Sequence, residues 1–131
     1  MPKKPDWDKT REDWRKLVES LMADIEKWSQ EQNWLVHKEQ KLLTEEHLGE
    51  YPVPDIVIRL PEGRVSVEVI GRNTVGAEGR VDISAFPNLN RMLLVRVGDK
   101  WKIKTDARVD WPRQWSKRTF IELAKIMASS K

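Results

Sequence analysis

The chain has 131 residues and a formal net charge of +3, from 24 Lys and Arg against 21 Asp and Glu, which fits one domain able to bury a core without covalent staples. It has no cysteine, so disulfides, thiolate metal sites and cysteine nucleophiles are excluded, as suits a reducing compartment. No stretch approaches the ~18 apolar residues of a membrane helix, and the opening MPKKPDWDKT lacks the apolar run of a signal peptide; the expectation is a cytoplasmic protein without membrane contact.

Residues 1–10 read as a frayed end, and residues 11–131 as one domain. Thr10 with Asp13 has the chemistry of a helix cap and acidic first turn. Trp14, Leu17, Val18, Leu21, Ile25 and Trp28 then recur at steps of three and four, predicting an amphipathic helix from Arg11 to Gln32 that stops at Asn33. Trp34 to Leu43 reads as a first strand and Thr44 to Glu50 as a loop.

Tyr51 to Asn73 is the centre of the chain. Two β-branched runs, Asp55–Leu60 and Val65–Ile70, flank Pro61-Glu62-Gly63-Arg64, which is hairpin chemistry. A symmetric turn faces Leu60 with Val65, Ile58 with Val67 and Ile56 with Val69, making one face aliphatic. The other face carries Asp55, Val57 and Arg59 against Ile70, Glu68 and Ser66. Asp55 and Glu68 become diagonal neighbours roughly 7–8 Å apart at the backbone, within joint reach of one hard cation.

Gly71 to Gly79 is a flexible connection that matches neither the P-loop nor the dinucleotide fingerprint. Arg80 to Leu89 reads as a short helix capped at Asp82 and cut by Pro87. Arg91–Val97 is a nearly continuous apolar strand, and Gly98-Asp99 turns it into Trp101–Thr105. After a loop from Asp106 to Gln114, Thr119 and Glu122 form a capping box for a last helix with Phe120, Leu123, Ala124 and Met127 inward. The order, α-β-β-β-α-β-β-α, predicts an α/β sandwich around one mixed sheet, with Val65–Ile70 and Arg91–Val97 parallel through a right-handed crossover.

This order, with Pro54-Asp55, twelve intervening residues and Glu68-Val69-Ile70, resembles the PD-(D/E)xK phosphodiesterase superfamily, the restriction-endonuclease-like fold, over about Trp14 to Thr105. The resemblance implies a metal-dependent nuclease in which Asp55 and Glu68 hold Mg²⁺ or Mn²⁺, joined by an acid of the first helix. Asp24 is nearest the apolar stripe for that role, with Glu19 and Glu26 further off. The metal would polarise the phosphodiester and acidify a bound water. Ile70 stands where the family has its lysine. Arg72, two residues on, is the substitute taken as catalytic, though arginine stays protonated and clamps phosphate rather than acting as a base; Lys38, Lys41 and Arg80 are other sources of the charge. Active members of the fold are often dimers, because cutting a duplex takes two sites. Unless another base folds into the site, Ile70 favours the alternative: a catalytically inactive member serving as a nucleic-acid-binding or assembly module.

Basic residues are denser after Arg91. Trp111-Pro112-Arg113-Gln114-Trp115-Ser116-Lys117-Arg118 interleaves aromatics and bases, a pattern that stacks nucleobases and contacts phosphates through Arg113, Lys117 and Arg118; the competing reading has both tryptophans covering the end of the core. His37 and His47 lack the spacing of a metal pair, and Ser66 and Ser84 have no histidine nearby in sequence to activate them.

Overall fold

The apolar stripe that predicts the first helix is also what docks it: Trp14, Val18, Leu21, Met22 and Ile25 are buried, with Leu17 and Trp28 packed beside them. In a computed structural model, which describes residues 6–73, 76–87, 90–105 and 114–129, the elements are α1 (Trp7–Glu31), β1 (Leu35–Glu45), β2 (Gly49–Leu60), β3 (Gly63–Gly71), β4 (Arg80–Phe86), β5 (Arg91–Val97), β6 (Lys100–Thr105) and α2 (Lys117–Ala128). α1 begins four residues earlier than expected. Asp6, not Thr10, is its cap, accepting from the Lys9 N–H at 3.0 Å. It ends as expected, with Asn33 in the left-handed region at φ 64°.

The six strands form one sheet in the order β1-β2-β3-β4-β5-β6, every neighbouring pair antiparallel. The α/β class holds, but the mixed sheet does not. Residues 80–86 are a strand rather than a helical turn, because Val81, Ile83 and Ala85 point inward while Asp82, Ser84 and Phe86 alternate outward, a period of two. β4 therefore lies between β3 and β5, and the parallel crossover is absent.

The central hairpin is tighter than a four-residue turn allows. Leu60 pairs with Gly63, Ile58 with Val65 and Ile56 with Val67, so Pro61-Glu62 alone makes the turn. The register sits two residues from the expected one, and a two-residue slip leaves each side chain on its own face. Gly63 is required there: a Cβ would lie 2.4 Å from the Phe86 carbonyl oxygen.

Both helices cover one face of the sheet. Ile58, Val65, Val67, Val69, Ile83 and Leu94 meet Phe120, Leu123 and Met127 in one cluster with the α1 stripe, each large aliphatic side chain contributing about 1.5–3 kcal/mol by burial. α2 is capped by Ser116, whose Oγ accepts from the Thr119 N–H at 3.2 Å, so the cap is three residues before the expected Thr119. Trp28, Trp34 and Trp115 gather around Phe120. Among the described residues no helix lies over the opposite face of the sheet, and Arg59, Arg64, Glu68, Phe86 and Lys104 are exposed there. Among the described residues, no helix is long and apolar enough to cross a membrane.

Candidate nucleic-acid interface

The β2–β3 ladder ends at Ile56↔Val67, next to Pro54, which has no N–H to give. The Val69 N–H beyond that end is satisfied by a side chain instead, donating to Asp55 Oδ1 at 3.0 Å. Asp55 lies opposite Glu39 of β1, and Lys41, two residues along β1, reaches Asp55 Oδ2 at 2.9 Å. Both carboxylate oxygens are thus engaged in a clasp across three strands.

Glu68 is the next pair along the same register. It is exposed and makes no ion pair with any described residue. Its direct partner across the β3–β4 ladder is Asp82, which is 7% exposed. Arg80 binds Asp82 through two nitrogens at 2.7 and 2.9 Å, and Arg91 stands 4.0 Å away. The hydrogen bonds to Asp82 hold the Arg80 guanidinium protonated beyond its already high range.

Asp55, Glu68 and Asp82 therefore share a face, as the hairpin pattern implies for the first two. However, Asp55 and Asp82 are each matched to cations of this chain. Among the described residues no three His, Cys, Asp or Glu side chains group to hold a metal ion. A hard cation needs carboxylate oxygens free to turn toward it, and Asp55 as it stands offers none; this donor set does not fit a resident Mg²⁺ or Mn²⁺.

The other expected site residues lie elsewhere. Asp24 is exposed on α1, the helix covering the opposite face from Glu68. Ile70 is the extra residue of a β-bulge, where the β3–β4 register shifts between Val69 and Gly71. The bulge turns Arg72 away from the Glu68 face. Arg72 lines a cavity of about 200 Å³ with Thr10, Asp13, Trp14 and Leu17 of α1, and its backbone N–H donates to Glu45. Lys117 is paired with Glu31 at 2.9 Å, tying the start of α2 to the end of α1. Arg118 is exposed beside Glu122 at 3.4 Å. Arg113 and Trp111 lie outside the described residues, while Trp115 packs on the core as the structural reading expects.

The feature that pattern reading missed is at the turn end of the hairpin. Arg59 pairs with Arg64, and Arg64 with Phe86, so the three form one cross-strand row on the uncovered face. The Arg64 guanidinium carbon sits 4.9 Å from the centre of the Phe86 ring. Neither arginine has an acidic partner among the described residues, although like charges directly opposite each other destabilise a ladder. With Leu60, Gly63 and Pro87 they line a cavity of about 320 Å³. Further outward rows add Arg91, Lys104 and Lys102. The signal was available: a two-residue turn at Pro61-Glu62 necessarily places residues 59 and 64 opposite each other.

Comparisons with protein-family models, with curated proteins and with solved structures each returned no match.

Proposed function

We propose that this chain is a nucleic-acid-binding module that takes single strands on the open face of its sheet. The observation that carries the reading is the Arg59-Arg64-Phe86 row. It offers two cations without acidic partners beside an exposed aromatic ring, which suits backbone phosphates next to an unstacked base. Arg91, Lys104 and Lys102 extend the positive track across the same face, and pairing with Lys41 and Arg80 keeps Asp55 and Asp82 from opposing it. On this reading the chain is a nuclease-derived member of the restriction-endonuclease-like group. It keeps the initial helix and three-strand meander, with β4 in place of the crossover helix and Asp55 of the hairpin serving structure instead of hydrolysis.

The test is fluorescence anisotropy with labelled single-stranded DNA, single-stranded RNA and duplex DNA over a salt series. Single strands should bind more tightly than duplex. Arg59→Ala with Arg64→Ala should flatten the slope of log K against log salt by about 1.4, two phosphate contacts at roughly 0.7 each. A slope unchanged by the double substitution, or a preference for duplex, rejects the reading.

A further inference from the structure

On the helix-covered side, at the β5–β6 edge of the sheet, a second pocket is built from different chemistry. Arg96 pairs directly with Trp101 across the β5–β6 ladder, and its guanidinium carbon lies 5.4 Å from the centre of the Trp101 ring. The backbone of Arg96 is anchored at both ends, its N–H donating to the Gly79 carbonyl at 2.9 Å and its carbonyl accepting from the Glu78 N–H at 2.7 Å. Its Nε is buried and has no hydrogen-bond partner among the described residues. A buried charged donor without an acceptor is rare in folded proteins and calls for a reason.

Around that donor, Trp101, Trp115, Gln114 and Lys100 line a cavity of about 270 Å³, with Asp99 the one acid among the described lining residues. The walls are held from behind. Trp101 packs on Trp14, Trp115 on Trp28 and Phe120, and Gln114 bridges to Lys102. Neither Arg96 nor Lys100 forms an ion pair with a described residue, Asp99 included. Two indoles suit a planar aromatic body. A guanidinium without an acidic partner among the described residues suits a phosphate, which its fork matches in geometry. The volume falls just below the roughly 300–1,000 Å³ of most ligand pockets, which admits one nucleotide and not two.

We propose that this pocket binds a nucleoside monophosphate, its phosphate on Arg96 and its base against the tryptophans. The site is on the opposite side of the sheet from the arginine row and does not depend on it.

Isothermal titration of the full chain with AMP, UMP, adenosine and inorganic phosphate tests the assignment. At least one nucleotide should bind, with adenosine and phosphate alone each at least about tenfold weaker, because each supplies only half of the contacts. Arg96→Met, which keeps the apolar stem over Trp101, should weaken the nucleotide by at least about tenfold. Gln114→Ala, at an exposed position of the lining, should weaken it several-fold, and it decides the matter if the Arg96 variant does not fold. Arg59→Ala with Arg64→Ala should leave nucleotide binding unchanged, so failure here and failure of the single-strand reading are separable. No heat with any nucleotide at millimolar concentration, phosphate binding as tightly as the nucleotides, or affinity unaltered by both pocket substitutions would overturn the proposal.

Discussion

Asp55 shows how a residue with the spacing of a metal ligand is used when the backbone around it lacks partners. Pro54 interrupts donation on β2, the ladder stops one pair short of Asp55, and the carboxylate takes up the Val69 N–H while Lys41 neutralises it. A clasp and a metal ligand predict different mutant behaviour. Asp55→Ala leaves a backbone donor and a half-buried ammonium unsatisfied and should cost about 1–3 kcal/mol. Asp55→Asn keeps an acceptor for the Val69 N–H and loses the charge pair with Lys41, whose side chain is 31% exposed; partial exposure limits that loss to under about 1 kcal/mol. Urea unfolding of the two variants measures the difference. Equal losses would mean that charge, and not the hydrogen bond, is what the position supplies. The same scale explains why Ile70 is no obstacle to folding: as the extra residue of a bulge it is displaced from the ladder pairing that a motif lysine at that position would assume.

Among the elements, the long β1–β2 hairpin is fastened to the end of β3 by one carboxylate. Glu45 accepts from the Arg72 N–H at 3.0 Å, from the Asn73 N–H at 2.8 Å and from the Tyr51 hydroxyl. Gly71 makes room, since a Cβ there would meet Glu45 Oε1 at 2.6 Å. Burial first, then the hydrogen bond to Glu45, push the Tyr51 phenol well above its usual range, which is about 10 in the unfolded chain. The folded state then holds this proton more tightly than the unfolded state. Stability from Tyr51 is therefore complete below pH 10 and falls as pH rises above about 10 toward the folded pKa. Tyr51→Phe should lower stability at neutral pH by about 1 kcal/mol through the lost hydrogen bond and should reduce the alkaline decline, followed by thermal unfolding between pH 8 and 11. An identical decline in both proteins would place its origin elsewhere. Such clasps were not legible in the sequence, since they join Glu45 to backbone 27 and 28 residues away. The periodic elements were legible: the α1 stripe, β5 over Arg91–Val97 and the inward face of α2 lie where the spacing puts them. β4 was misread because Asp82 before a proline-ended run is also helix-cap chemistry. Only its partners, Arg80 two residues before it on β4 and Arg91 across the ladder on β5, decide between the two.

For the whole molecule, the meander sets what the site residues can do. With both helices on one face, Asp55, Glu68 and Asp82 project from the other, away from Asp24 on α1, and the expected third acid cannot come from the first helix. The open face instead holds Arg59, Arg64, Arg80, Arg91, Lys102 and Lys104 on β2–β6. A mild net charge of +3 does not report the Arg59-Arg64 clustering, and clustering governs steering of a polyanion. This arrangement also makes the metal question decidable without an activity assay. A cation that binds only the folded state raises stability by about 2.7 kcal/mol at a hundred times its dissociation constant, a shift of several degrees in Tm. Mg²⁺ or Mn²⁺ at millimolar concentration should leave the Tm of the wild-type chain unchanged, because Lys41 and the Val69 N–H occupy both oxygens of Asp55. Lys41→Gln removes one of those occupants. If the clasp is what keeps a cation out, Mn²⁺ should raise the Tm of Lys41→Gln and not that of Lys41→Gln with Glu68→Ala. A rise in the wild-type chain that Asp55→Ala abolishes would instead restore the carboxylate pair as a metal site, with Lys41 yielding to the ion, and would turn the open face from a binding surface into a candidate hydrolytic one.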